Sequence, residues 1–347
     1  MITQGHKLRA LICLALPLPS YNSTYIFNIN KCEARRPAVT LDGKRALASL
    51  HYNSSLSLPN VRTRVTNCND HKDPKLIRKR WISPSTDEAY KQYMQSRGAV
   101  PQTIELEYGA KGHWIGNKNA RNVLIWYHGG GFCLPANVGY FKFWESLIQC
   151  SSAAGKDLAV FAVAYTLAPN AQYPTQLIQS VEGLRYILTE TNRTPANILL
   201  GGDSAGGNLA VGVLSHLSSP HEAIAKLDVQ EPLAGTVLIA PWTSLEVSAD
   251  TKMNCLGDVI TPDVAKPWSQ AYLGRAKHDY YTDARQNEIM LPSIRHFVDK
   301  VKSGFPSIEL FIGRQEGHVA PVYNLYMGDN KETQQGERLK VWLGELL

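Results

Sequence analysis

The chain of 347 residues has no run of 18 consecutive apolar residues, so a membrane-spanning helix is not expected. Its six cysteines are too few for a disulfide scaffold, and no two are spaced C-x-x-C, which excludes the usual zinc-ribbon and dithiol-redox patterns. Neither G-x-x-x-x-G-K-[ST] nor G-x-G-x-x-G occurs, which removes the common phosphate- and dinucleotide-binding loops. No zinc-finger or RNA-binding signature accompanies the basic residues, so a nucleic-acid partner is not expected. What is present is a globular balance, with 44% hydrophobic and 19% charged residues.

Charge is unevenly placed. Residues 1–80 hold 14 Lys/Arg against 4 Asp/Glu, whereas the other 267 hold 22 against 26. The first part shows no sustained period of 2 or 3.6 and reads as a basic, poorly ordered extension (residues 1–80) before a single α/β domain (residues 83–347). Lys7 and Arg9 precede the apolar run Ala10–Leu18, the outline of a secretory signal, but Pro17 and Pro19 stand where small residues belong. The balance favours the cytoplasm over the secretory route. Association of this segment with an anionic membrane surface is the partner reading its charge allows.

From Ser83 onward the pattern changes. Ser85-Thr86-Asp87-Glu88 opens a helix, and Gln102–Tyr108 alternates like a strand. Asn122–Tyr127 and Leu158–Tyr165 are continuous apolar runs, as strands buried on both faces require. Asn197–Leu200, Thr236–Ala240 and Ile308–Ile312 read as further strands, while Gln176–Leu188, Ala205–Leu217 and Ile294–Val301 read as helices. Strand and helix alternate, which predicts a mostly parallel sheet with helices on both faces.

Two motifs carry chemistry. Gly202-Asp203-Ser204-Ala205-Gly206 fits G-x-S-x-G between a strand and a helix, where small residues on either side let a sharp turn expose a serine hydroxyl. His128-Gly129-Gly130-Gly131-Phe132 follows another strand and leaves main-chain amides uncovered. Gly130, Gly131 and Ala205 are the amides such a site would aim at a tetrahedral oxyanion. Phe132, Cys133, Leu134, Phe141, Phe143 and Trp144 follow, either as walls of an apolar pocket or as ordinary core.

These motifs, with Thr86–Tyr90, Gly112–Gly116, Tyr165–Pro169, Ala240-Pro241-Trp242 and Glu316-Gly317-His318, resemble the hormone-sensitive-lipase-like branch of the α/β-hydrolases. The resemblance extends to fungal steryl-acetyl-hydrolase-like esterases and runs from about Ser83 to Trp342. It implies an α/β-hydrolase fold with a helical cap from residues 83–100 and 254–272. It also implies cofactor-free hydrolysis of carboxylic esters by serine, acid and histidine in that chain order.

His318, in the loop after Ile308–Ile312, is the candidate base; His296 falls inside a helix and His278 follows no strand. The acid is the departure. The resemblance places it just after the penultimate strand, at Asn287-Glu288, with asparagine where relatives carry aspartate. Three readings stand: Glu288 supplies the carboxylate, Asp283 does, or the sequence is an incomplete or decayed copy acting as a binding module. No buried-strand run precedes this point, only Asp279–Arg285, so one sheet strand is expected to be missing. Asn170, where relatives often carry glutamate, is a further departure. The substrate implied is a small-molecule ester, and the same motifs also serve amidases and lyases.

Overall fold

The computed structural model describes residues 9–16, 84–245, 260, 262–274, 291–304, 306–314 and 316–347. The strands are β1 (Arg9–Leu16), β2 (Thr103–Glu105), β3 (Lys111–Ile115), β4 (Asn122–Tyr127), β5 (Leu158–Ala164), β6 (Ile198–Asp203), β7 (Gly235–Ile239) and β8 (Ile308–Arg314). The helices are α1 (Thr86–Ser96), α2 (Val138–Ala153), α3 (Thr175–Glu190), α4 (Ala205–Ser218), α5 (Pro262–Leu273), α6 (Leu291–Gly304), α7 (Ala320–Met327) and α8 (Gln334–Leu346). None of the described helices is long and apolar enough to cross a membrane.

All eight strands form one sheet in the order β2–β3–β5–β4–β6–β7–β1–β8. β3 pairs antiparallel with β2 and β5, and every other pair is parallel. The central strands are apolar throughout because helices cover both faces. In β4, Val123, Ile125 and Tyr127 pack into one core cluster and Leu124 and Trp126 into the other.

The N-terminal apolar run departs from its expected role. Arg9–Leu16 is not part of an unstructured extension but a strand between β7 and β8, parallel to both. Ala10 and Ile12 join one core cluster, and Leu11 and Cys13 the other. Burial of Leu11 and Ile12, at 0% and 1% exposure, stabilises the sheet by about 1.5–3 kcal/mol each. The strand expected to be missing therefore has an occupant, drawn from the other end of the chain. A run of aliphatic residues after a basic flank looks the same in a leader and in a strand buried on both faces.

The expected start of α1 holds, whereas α6 begins at Leu291, three residues before the expected Ile294. Ser85 Oγ accepts from the Glu88 amide at 3.2 Å and caps α1. Asp87 in its first turn accepts from His113 of β3 at 3.0 Å, and Lys111 adds a 3.1 Å ion pair. Hydrogen bonding from His113 brings the Asp87 carboxyl down to about 2. Tyr90 stacks on the His113 ring at 4.4 Å and donates to the Trp114 carbonyl at 2.7 Å. Thr86–Tyr90 and Gly112–Gly116, both part of the family likeness, thus clasp each other as scaffold. α1 packs on α2 and ties the glycine loop's exit through Thr86 Oγ1, which accepts from the Ala136 amide at 3.0 Å.

Candidate active site

Ser204 stands between β6 and α4 at φ +49°, ψ −118°, a left-handed conformation that costs an L-residue about 1–3 kcal/mol. The turn holds because both flanks are fixed. The Ser204 amide donates to the Ile239 carbonyl at 2.9 Å, and its carbonyl accepts from the Trp242 amide at 2.8 Å. The glycine spacing has a direct steric cause. A Cβ on Gly202 would lie 2.3 Å from the Gly206 carbonyl oxygen, and one on Gly206 would lie 1.9 Å from that of Tyr127. Ala205 begins α4, so its amide lies at the positive end of that helix.

The glycine loop turns tightly after β4. Gly130 and Gly131 have φ +99° and +61°, and the Gly130 carbonyl accepts from the Cys133 and Leu134 amides at 3.0 and 2.9 Å. Among the described residues, neither the Gly130 nor the Gly131 amide donates to another protein group. His128 is buried, stacked on Tyr165 at 4.4 Å, and its Nδ1 donates to the Gly129 carbonyl at 2.8 Å. Burial drops its pKa to about 4, so the ring stays neutral at physiological pH.

Asp203, which sequence reasoning passed over, joins the two motifs. Its carboxylate is fully buried and accepts from Trp126 Nε1 at 3.0 Å, the Gly129 amide at 3.1 Å and the Tyr140 hydroxyl at 2.6 Å. The Gly129 amide also donates to Tyr140 Oη at 3.0 Å. Burial raises the carboxyl to about 6, against the pull of these donors. The residue before the serine thus holds the start of the glycine loop. Nothing local in the sequence marks this, because its partners lie 63 to 77 positions away.

An aromatic wall closes the loop from above. Phe132, itself at φ +62°, stacks on Tyr272 of α5 at 3.7 Å and lies 5.9 Å from Trp242. A Cβ on Gly131 would fall 2.1 Å from the Trp268 ring, so α5 rests directly on the loop backbone. This is the part of the expected cap that the described residues place at the site. Phe141, Phe143 and Trp144 resolve as core on the buried face of α2, not as pocket wall.

His318 lies in the loop after β8 and is 6% exposed. β6, β7, β1 and β8 run parallel, so Ser204 and His318 both follow C-terminal strand ends at the same edge of the sheet. The chain then turns through Val319, at φ +52°, into α7. α7 packs on α2, and the Tyr323 phenol lies within the field of Asp203, which together with burial raises its pKa. Glu288, Asn287, Asp283 and His278 lie outside the described residues, and His296 sits within α6 as expected.

Comparison with known proteins follows the same lines. Residues 124–294 match a family model described as alpha/beta hydrolase fold. Human arylacetamide deacetylase-like 2 is 29% identical over 160 residues, which is 43% of this chain and 37% of that protein. Steryl acetyl hydrolase 1 of Saccharomyces cerevisiae is 27% identical over 122 residues, 35% of this chain and 27% of that protein. The matches thus span well under two thirds of these relatives' own length. A solved esterase of the bacterial hormone-sensitive lipase family superposes with TM-score 0.55 at 22% identity, covering 80% of this chain and 98% of that one. The chain carries the α/β-hydrolase fold.

Proposed function

We propose that this protein is a serine carboxylic-ester hydrolase acting on small to medium acyl esters through an acyl-serine intermediate. The observation that carries the reading is the Ser204 turn beside a glycine loop whose Gly130 and Gly131 amides have no protein acceptor among the described residues. Ser204 attacks the ester carbonyl while His318 takes its proton. The amides of Gly130, Gly131 and Ala205 receive the oxyanion, as donors already held in place before the charge develops. The alcohol leaves with the proton held by His318, and water repeats the sequence on the acyl-serine. Glu288 is assigned the carboxylate that orients the His318 ring. The deacetylase names among the relatives, and the flat wall of Phe132, Trp268 and Tyr272, favour acetyl or similar short acyl groups on apolar alcohols.

The test is to quench the reaction with p-nitrophenyl acetate in acid and map the acetyl group by peptide mass. The expected adduct sits on Ser204. An adduct elsewhere, or turnover with no adduct, would overturn the mechanism.

A further inference from the structure

The strand that separates the serine side of the sheet from the histidine side is β1, which comes from the far end of the chain. β7 and β8 do not touch as neighbours. They stand two strand spacings apart, roughly 10 Å, with β1 between them. It pairs on both sides, with Arg9–Cys13 opposite Gly235–Ile239 and Ala10–Leu16 opposite Ile308–Arg314.

Cys13 sits where the two halves of the site are held. Its carbonyl accepts from the Ala240 amide at 2.7 Å, just past the point where Ile239 and Trp242 grip Ser204. Its thiol lies 4.0 Å from the Gln335 carbonyl. Gln335 is fully buried and donates from Nε2 to the Gly317 carbonyl at 3.4 Å, beside His318. The Glu316 carboxylate accepts from the Gln334 amide and, at 3.1 Å, from the Gln335 amide, and so fixes the same loop to α8. At the other end of the strand Arg9 pairs with Glu309 of β8 at 3.6 Å and Glu345 of α8 at 4.0 Å.

We propose that the N-terminal strand Arg9–Leu16 is a positioning element of the catalytic machinery, a spacer that sets the separation of Ser204 and His318. Without it β8 would pair directly with β7 and carry the histidine loop about 5 Å toward the serine. A displacement of about 1 Å already costs on the order of 10²-fold in rate. The assignment rests on Ser204 and His318 being nucleophile and base.

The experiment uses the full chain. Hydrogen exchange should find the amides of residues 10–15 protected as strongly as those of Gly235–Ile239, and exchange at free-chain rates would overturn the proposal. Ile12→Ala and Ile12→Val are then compared, with active serines counted by fluorophosphonate titration so that rate is read per labelled site. Ile12→Ala should lose at least ~10-fold in kcat per site with KM held within about twofold, and Ile12→Val should keep at least about half. Should Ile12→Ala fail to fold, Cys13→Ala, which removes the thiol with its contact to the Gln335 carbonyl and a smaller volume of core, should lose at least ~3-fold per site. An unchanged rate per site overturns the spacer role. Failure of the wild-type protein to label at Ser204 is a different result, and it removes the serine-hydrolase reading together with the inference built on it.

Discussion

Replacing Asp203 by asparagine should flatten the pH dependence of stability without weakening the protein at neutral pH. In the fold, burial raises the Asp203 carboxyl to about 6, from an ordinary value near 3.8. A raised pKa means that the folded protein binds this proton more tightly than the unfolded chain. The stability linked to it is fully present below about 3.8 and is lost as pH rises through about 6. A rise from 3.8 to about 6 is worth roughly 3 kcal/mol. Asparagine has the shape of the neutral acid. Its Oδ1 can still accept from Trp126 Nε1 and the Gly129 amide, while its amide group faces the Tyr140 oxygen that now bonds Oδ2 at 2.6 Å. The Tyr140 proton loses its acceptor, which costs about 0.5–1.5 kcal/mol. At pH 7 the variant should therefore be about 1–3 kcal/mol more stable than wild type, and below pH 4 slightly less stable. Urea titrations from pH 4 to 8 on both proteins give the difference curve, in which all other groups cancel. Parallel curves would refute the reasoning, because they would mean that Asp203 titrates in the fold as it does in water.

Other outcomes follow from the same geometry. Gly206→Ala should cost about 3 kcal/mol or more, because its Cβ would meet the Tyr127 carbonyl at 1.9 Å with backbone on both sides. A thermal midpoint equal to wild type would contradict the crowding described at the serine turn. Glu288→Gln should lower kcat at least ~10²-fold if this carboxylate orients His318. An unaffected rate would take Glu288 out of the site and direct the search to Asp283.

Much of this architecture was legible because buried parallel strands announce themselves. Asn122–Tyr127 and Leu158–Tyr165 have almost no polar residue on either face to suggest anything else, and the structure ends these strands within a residue of the expected bounds. The glycine spacing around Ser204 was legible for a steric reason, the backbone contact a Cβ would make at Gly202 and Gly206. β1 was not, since its neighbours are set by residues more than 200 positions away and its basic flank imitates a leader. β3 was missed because Lys111–Ile115 mixes glycine, histidine and tryptophan, and only its pairing with β2 and β5 defines it. α2 was legible in principle. Tyr140, Phe141, Trp144 and Leu147 repeat at helical spacing behind the Asn137 cap, but the place of Phe141, Phe143 and Trp144 just after the glycine loop left pocket wall and core equally open. Asp203 shows the limit most plainly. A charged residue beside a nucleophile suggests chemistry, and only the fold reveals three buried donors waiting for it.

The most direct measurement is hydrolysis of p-nitrophenyl acetate and butyrate by the purified protein, with folded Ser204→Ala alongside. The account predicts turnover by the wild type that disappears in the variant while its circular dichroism is unchanged. Turnover that survives in Ser204→Ala, or a folded wild type that hydrolyses neither ester, would contradict it.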